Sequence, residues 1–199
     1  MPIAVQDGGR NNTVAIPEEV LANGTGRIII TGDNNRIEIA APFYRLGIHI
    51  EMTGHAEIQI ERNFNAAHLF MHATAGSVAR IGQDVGMNGA VRLLLHEAAS
   101  IRIGDDCLFG GDVDVTISDM HSIIDIETKV RLNLAKDVRI GNHVWIGQRC
   151  LVLKGVDIGS GSVVGAGSVV TRSIPENCVA AGNPAKVIRR GASWNSRLF

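Results

Sequence analysis

The chain has 199 residues, 45% of them hydrophobic but only 4% aromatic, with a formal net charge of −1. That balance gives no global attraction to nucleic acid or to an anionic membrane surface. No apolar run approaches the roughly 20 residues of a membrane span. The length suits one domain, or a solenoid that grows along a single axis.

The start, MPIAVQDGGR, lacks a cationic segment followed by an apolar core, so no signal peptide is expected. Residues 1–27 are polar and rich in turn formers, and are expected to cap the open end of the body, where unpaired strands would invite association. The body is expected over residues 28–190. Its first half shows a long repeat, with Ile39, Ile60, Ile81 and Ile103 at spacings of 21, 21 and 22 residues. A coil of three six-residue units would take 18, so these coils are expected to carry extra turn residues. Seven or eight coils would fill the region, stacked main chain to main chain at ~4.8 Å. The low aromatic content suits a narrow interior of Ile, Val, Leu and Ala with no room for large rings.

A period of six runs through Ile103, Phe109 and Val115, then fails: 25 residues separate Val115 from Ile140. Residues 118–137, SDMHSIIDIETKVRLNLAKD, must therefore leave the wall as a loop. Loops on rigid scaffolds are where chemistry tends to sit.

From Ile140 to Pro175 the period is strict. Ile140, Ile146, Val152, Ile158, Val164 and Val170 recur every six residues, and Gly141, Gly147, Gly159 and Gly165 follow four of them. Small or medium residues sit four positions on: Val144, Cys150, Val156, Ser162, Ser168 and Ile174. A helix of 3.6 residues per turn would rotate such positions off one face. Short strands joined by turns keep them inward, and the glycines are expected to supply positive φ at those turns. The three cysteines, Cys107, Cys150 and Cys178, form no C-x-x-C and are expected to be free thiols in a reducing compartment, Cys107 and Cys150 in inward slots. The end leaves the pattern. Lys186, Arg189 and Arg190 form the densest positive cluster, and residues 191–199 read as a tail.

VWIG, GAGSVVT and AGNPAKVI, within Ile140–Arg190, resemble the C-terminal half of the hexapeptide-repeat acyltransferases. The resemblance implies an all-β fold, the left-handed parallel β-helix. The hand comes from the resemblance alone, because parallel crossovers are ordinarily right-handed. It also implies acetyl transfer from acetyl-CoA to a hydroxyl or amine, in a homotrimer with the cofactor between neighbouring prisms; the free thiols point to the cytoplasm as its setting. The family's catalytic histidine precedes the regular C-terminal coils, which assigns His121 as general base: imidazole titrates near neutrality and can take a hydroxyl proton. Asp119 and Asp125 flank it, and spacing does not choose which orients the ring. Trp145 follows the inward Val144 and would face the cleft, where its N–H can donate to a thioester or a sugar. The family pattern carries cofactor contacts onto Gln148, Ala166, Thr171, Arg172, Lys186 and Arg189.

The γ-class carbonic anhydrases share the prism and bind zinc through H-x-x-x-x-H. No two of the seven histidines here are five apart, so no metal is expected. His143, in GNHVW, is expected to be a solvated turn residue. GGRNNTV, GDNNRIEI, SDMH and GNHVW resemble the branch that O-acetylates surface polysaccharides, including sialic-acid capsules. The expected acceptor is thus a sugar hydroxyl of a capsule, O-antigen or exopolysaccharide, with Asn88, Arg92 and Asp112 as unranked acceptor candidates. A small diffusible acceptor is the alternative, and a non-catalytic prism the third reading.

Overall fold

The structure, a computed structural model, describes residues 1–198, the side chain of Tyr44 excepted. Parallel strands stack into a prism with three walls. The first wall takes Ile3–Asp7, Thr25–Ile30, the C-terminal parts of Phe43–Met52, Phe64–Ala73 and Gly86–Leu95, then Val113–Thr116, Leu151–Val152 and Val169–Val170. The second runs from Thr13–Ala15 through Arg36–Ile39, Glu57–Ile60, Val78–Ile81, Ser100–Ile103 and Val138–Ile140 to Asp157–Ile158. The third starts in the N-terminal parts of the three ten-residue strands and continues through Leu108–Phe109, Trp145–Ile146, Val163–Val164 and Cys178–Gly182. A last strand, Ala185–Arg190, turns back antiparallel on Cys178–Gly182.

The register shows why the sequence repeats as it does. Ile39, Ile60, Ile81, Ile103, Ile140, Ile158 and Ile174 pair one above another on the second wall, each at most 4% exposed. The six aliphatics from Ile140 to Val170 visit the second, third and first walls in turn and are all buried, as are the six residues four positions after them. Ser162 and Ser168 can occupy inward slots because each hydroxyl has backbone partners: Ser162 donates to Pro175 O and accepts from Cys178 N, and Ser168 donates to Gly165 O and accepts from Gly182 N. All three cysteines are free and buried, and burial pushes the Cys107 thiol up to about 12.

Four expectations change. The interior does hold large rings, since Phe64 and Phe109 are at most 1% exposed. The extra residues of the early coils lie largely in the walls: the first and third walls merge into ten-residue strands whose register shifts at the corner, near Leu46 and between Ala66 and His68. Residues 1–27 contribute rungs as well as cover, because Ile3–Asp7 and Thr13–Ala15 pair in the walls while the helix Glu18–Asn23 buries Val20 against the open end. Finally, the glycines after the aliphatics are not the positive-φ residues. Those sit two positions later, at His143 (φ 54°), Arg149 (57°), Gly161 (71°) and Gly167 (71°). The earlier glycines are required by close approach: a Cβ on Gly147 would lie 2.7 Å from Ala166 N, and one on Gly159 2.3 Å from Glu176 N.

Residues 118–137 leave the prism between the first-wall strand Val113–Thr116 and the second-wall strand Val138–Ile140. The rungs on either side of the loop still pair in register, Asp114 with Leu151 and Ile103 with Ile140.

Gly159→Ala should therefore destabilise the protein by about 1–3 kcal/mol, because backbone of the next coil must move. Arg149→Gly should stay within about 1 kcal/mol of wild type, relief of a left-handed side chain offsetting unfolded-state entropy. Urea unfolding of the two variants checks the contrast.

Candidate functional site

The loop is a hairpin. Ile124 and Arg131 form an antiparallel bridge, and Leu132 N donates to Ile123 O. Its tip closes on Asp125, whose Oδ1 accepts from the N–H groups of Glu127 and Thr128 and from the Thr128 hydroxyl, holding that carboxyl below its ordinary range. Its base is clamped to the prism. Arg131 makes two 2.6 Å bonds to Glu97, and Ser118 donates to the same carboxylate. Arg131, then Ser118, holds the Glu97 carboxyl down at about 2. Lys154, on the next coil, donates to Asp119 and, at 2.8 Å, to Asn133 O. Lys154 and then Asn133 hold the Asp119 carboxyl low.

His121 sits between these anchors. Its backbone is fixed, its carbonyl accepting from Asn133 Nδ2 at 2.8 Å, while its side chain is exposed. Among the described residues no hydrogen bond links either flanking carboxylate to the ring; Asp119 Oδ2 accepts from Lys154 and Asn133, and Asp125 Oδ1 serves the hairpin tip. The clamp residues Glu97, Arg131, Asn133 and Lys154 were not singled out by sequence reasoning.

On the third wall a groove is lined by Trp145, Gln148 and Ala166, with Gly147, Gly165 and Val163 among its other walls. Trp145 stands outward, 41% exposed, between Leu108 below and Val163 above. The glycines leave the surface beside the indole bare. The same column continues from Val163 to Val179, which pairs with Arg189, and Lys186 pairs with Ala181. Trp145, Val163, Val179 and Arg189 thus step across strands at ~4.8 Å each, a path for an extended ligand. Lys186 and Arg189 are exposed at its end.

Thr171 and Arg172 lie elsewhere. They follow the first-wall strand Val169–Val170, past the edge of that wall from which the His121 loop also departs. The named residues therefore divide into two sets within one chain. Trp145, Gln148, Ala166, Lys186 and Arg189 are on the third wall and its hairpin; His121, Thr171 and Arg172 are beyond the far edge of the first wall. Between the sets, Arg92 pairs with Asp114, and with Asp112, His68 and Phe70 they line a hollow on the first wall. Asn88 is exposed on the strand Gly86–Leu95.

His143 is not a freely solvated turn residue. Its Nδ1 lies 2.6 Å from Asp106 Oδ2, and its ring stacks on Trp194 at 4.5 Å and 9°. Among the described residues no group of three or more His, Cys, Asp or Glu is placed to hold a metal, and no helix is long and apolar enough to cross a membrane.

A three-walled parallel prism with a groove on its glycine-bearing coils and one clamped loop defines a hexapeptide-repeat β-helix. Residues 137–172 match the family described as bacterial transferase hexapeptide (six repeats), and residues 100–118 match the hexapeptide repeat of succinyl-transferase. The polysialic acid O-acetyltransferase of Escherichia coli O1:K1 / APEC is 38% identical over 122 residues, covering 61% of this chain but only 39% of that protein. The polysialic acid O-acetyltransferase of Neisseria meningitidis is 32% identical over 157 residues, covering 74% of this chain and 68% of that protein. The crystal structure of the polySia-specific acetyltransferase NeuO superposes with a TM-score of 0.92 at 34% identity, over 98% of this chain and 90% of that one. The chain belongs to the hexapeptide-repeat acetyltransferase family, in its polysaccharide O-acetyltransferase branch, and its fold is that family's left-handed parallel β-helix.

The clamp carries a pH dependence whose sign follows from Glu97. Its folded carboxyl titrates at about 2, below the ordinary carboxylate, so its contribution is complete above the ordinary glutamate range and fades as pH falls towards about 2. Amide protection in residues 119–133, measured relative to the intrinsic exchange rate at each pH, should fall over that interval. Glu97→Gln should produce a roughly tenfold acceleration already at pH 7, the equivalent of a lost charge-assisted hydrogen bond. Unchanged exchange in that variant would place the loop's anchorage elsewhere.

Proposed function

We propose that the protein transfers acetyl from acetyl-CoA to a sugar hydroxyl of a surface polysaccharide, of the capsule, O-antigen or exopolysaccharide kind, with His121 as general base. The observation that carries the reading is the division of the site residues into two sets on opposite edges of the first wall. A homotrimer reunites them, with the groove of one protomer facing the loop of its neighbour. The loop's surface supports such contact: Met120, Ile123, Ile124, Ile126, Val130, Leu132 and Leu134 are each more than half exposed, a concentration of apolar side chains that water alone would leave uncovered. A polysaccharide acceptor is suggested by the relatives, two of them named as polysialic acid O-acetyltransferases.

In this reading the acyl donor lies along the third wall. Its phosphates meet Lys186 and Arg189 and its arm passes Ala166 and Gln148, while Arg172 and Thr171 of a neighbouring protomer close over it. Lysine at 186 supplies charge without the paired geometry of an arginine. The acceptor O–H loses its proton to the His121 imidazole as its oxygen bonds to the thioester carbonyl carbon. Trp145 donates its indole N–H to the thioester. The tetrahedral intermediate collapses with cleavage of the C–S bond, and the imidazolium returns the proton to the departing thiolate. No covalent enzyme intermediate and no metal is needed, because the thiolate is a competent leaving group. Three buried free thiols suit a reducing, cytoplasmic setting.

Thiol release from acetyl-CoA, measured across polysialic acid, other capsular and O-antigen oligosaccharides, simple galactosides and small alcohols, tests the activity and ranks the acceptors. His121→Ala should lower turnover by about 10²–10⁴-fold with coenzyme A binding retained; turnover near the wild-type rate would remove His121 as the base. Mixed refolding of His121→Ala with Trp145→Ala should restore about a quarter of wild-type activity if loop and groove come from different protomers of a closed ring. No restoration would confine the site to one chain.

A further inference from the structure

The C-terminal tail is seated on the prism. Ala192 N donates to Asn177 O at 3.0 Å, which starts the tail down the corner between the second and third walls. That corner is a column of left-handed residues, Asp106, His143, Gly161 and Asn177, one per coil. Trp194 then engages His143 in both directions. Its indole N–H donates to His143 O at 2.8 Å, and its own carbonyl lies 3.0 Å from His143 Nε2. The two rings lie nearly parallel at 4.5 Å. Both ring nitrogens of His143 face acceptors, Asp106 Oδ2 on one side and Trp194 O on the other, so the protonated ring donates to both and the neutral ring to one. A cationic imidazole against an indole face adds attraction.

Trp194 also meets Trp145, with ring centroids 6.3 Å apart and planes at 50°. That separation lies within the range of interacting aromatic pairs. Trp145 needs such a neighbour. It stands on a two-residue strand, with glycines opening the groove on one flank and only Leu108 and Val163 directly below and above it. Leu108 and Val163 offer no ring face to set the indole's orientation, whereas Trp194 does, its ring stacked on the His143 imidazole and donating to His143 O while its backbone carbonyl meets His143 Nε2.

From this we infer that Trp194 is a positioning residue: seated on His143, it backs the Trp145 indole and holds it against the groove, making the tail a working part of the site. The inference rests on the groove being the acyl-donor seat, as proposed above, and its test separates the two.

Trp145 and Trp194 are the only tryptophans in the chain. Wild-type protein should show an exciton couplet in far-ultraviolet circular dichroism that Trp194→Phe and Trp145→Phe each abolish. Trp145 is the sole tryptophan, excited selectively at the red edge of the indole band, in both Trp194→Phe, which keeps an aromatic ring on His143, and Trp194→Ala, which does not. Time-resolved anisotropy should show a restrained indole in the first and fast local rotation in the second. Equal anisotropy in the two variants, or no couplet in wild type, overturns the inference whether or not the protein transfers acetyl groups. Where acetyl transfer is measurable, Trp194→Ala should lower kcat about three- to tenfold with the acceptor KM unchanged, and Trp194→Phe should restore most of it. A kcat equal to wild type in a Trp194→Ala protein whose Trp145 rotates freely would show that the indole needs no support. Wild-type protein that binds no coenzyme A while the couplet and anisotropy behave as stated would instead sink the donor-seat reading and leave the Trp145–Trp194 pairing standing.

Discussion

Each coil of the prism must lie one strand spacing above the last, and nearly every other feature follows from that constraint. The inward aliphatics pair register to register because a slip of one residue would turn a whole column outward. Where a coil turns from one wall to the next, the approach is closer than side chains allow, and glycine is needed at Gly147 and Gly159 because a Cβ would meet backbone of the coil above. Two residues further on the chain enters the left-handed region, and there the N–H donates to a carbonyl of the coil below, as His143 N does to Asp105 O and Arg149 N to Gly111 O. The corners are therefore ladders as much as the walls are. Asp105 N to Asn142 Oδ1, and Asn142 N to Ser160 Oγ, extend the same principle to side chains.

A scaffold so repetitive has few places for chemistry. A few extra residues are absorbed by a bulged corner, as in the ten-residue strands, but an insertion the length of residues 118–137 leaves the prism at a corner and is tied back. The ties come from the coils on either side: Glu97 from the coil before the loop and Lys154 from the coil after it. A paired, partly buried carboxylate such as Glu97 contributes less to net stability than to holding one arrangement, and here the arrangement held is the backbone at His121, through Asn133.

The sequence was most legible where the constraint is strictest. From Ile140 to Val170 successive coils are 18 residues apart, Ile140 to Ile158, Ile146 to Val164 and Val152 to Val170, so two inward positions in every six are forced to be small or aliphatic, and the period appears in the residues themselves. In the earlier coils the third and first walls run together through a bulged corner, and the inward columns recur at 21 or 22 residues, most visibly in the second-wall isoleucines. Close approach and left-handed backbone both favour glycine, so the repeat alone does not tell which of the two Gly147 and Gly159 serve. His143 and Arg149, which fill left-handed seats, carry no such signature. The clamp was invisible for another reason. Glu97 and Arg131 are 34 residues apart, and His143 and Trp194 are 51 apart, with no periodicity to link either pair. Contacts made when a loop or tail folds back on a solenoid leave no trace in its repeat.

The family resemblance assigns His121, Trp145, Thr171 and Lys186 to one cleft between neighbouring prisms. The coil order explains why they do not meet within a chain. In every coil the third wall precedes the first, so Trp145 and Ala166 enter before the strands Leu151–Val152 and Val169–Val170, whereas His121 and Arg172 leave after the first-wall strands of their own coils. The width of that wall separates them, and no side-chain rotamer spans it. A straight prism has no means of bending its two edges together. Either a second prism is laid alongside, bringing one protomer's leading edge to another's trailing edge, or the two sets serve different purposes. Seven exposed apolar side chains on the loop at the trailing edge favour the first arrangement, because they give that edge something to bury as the neighbouring groove closes over it.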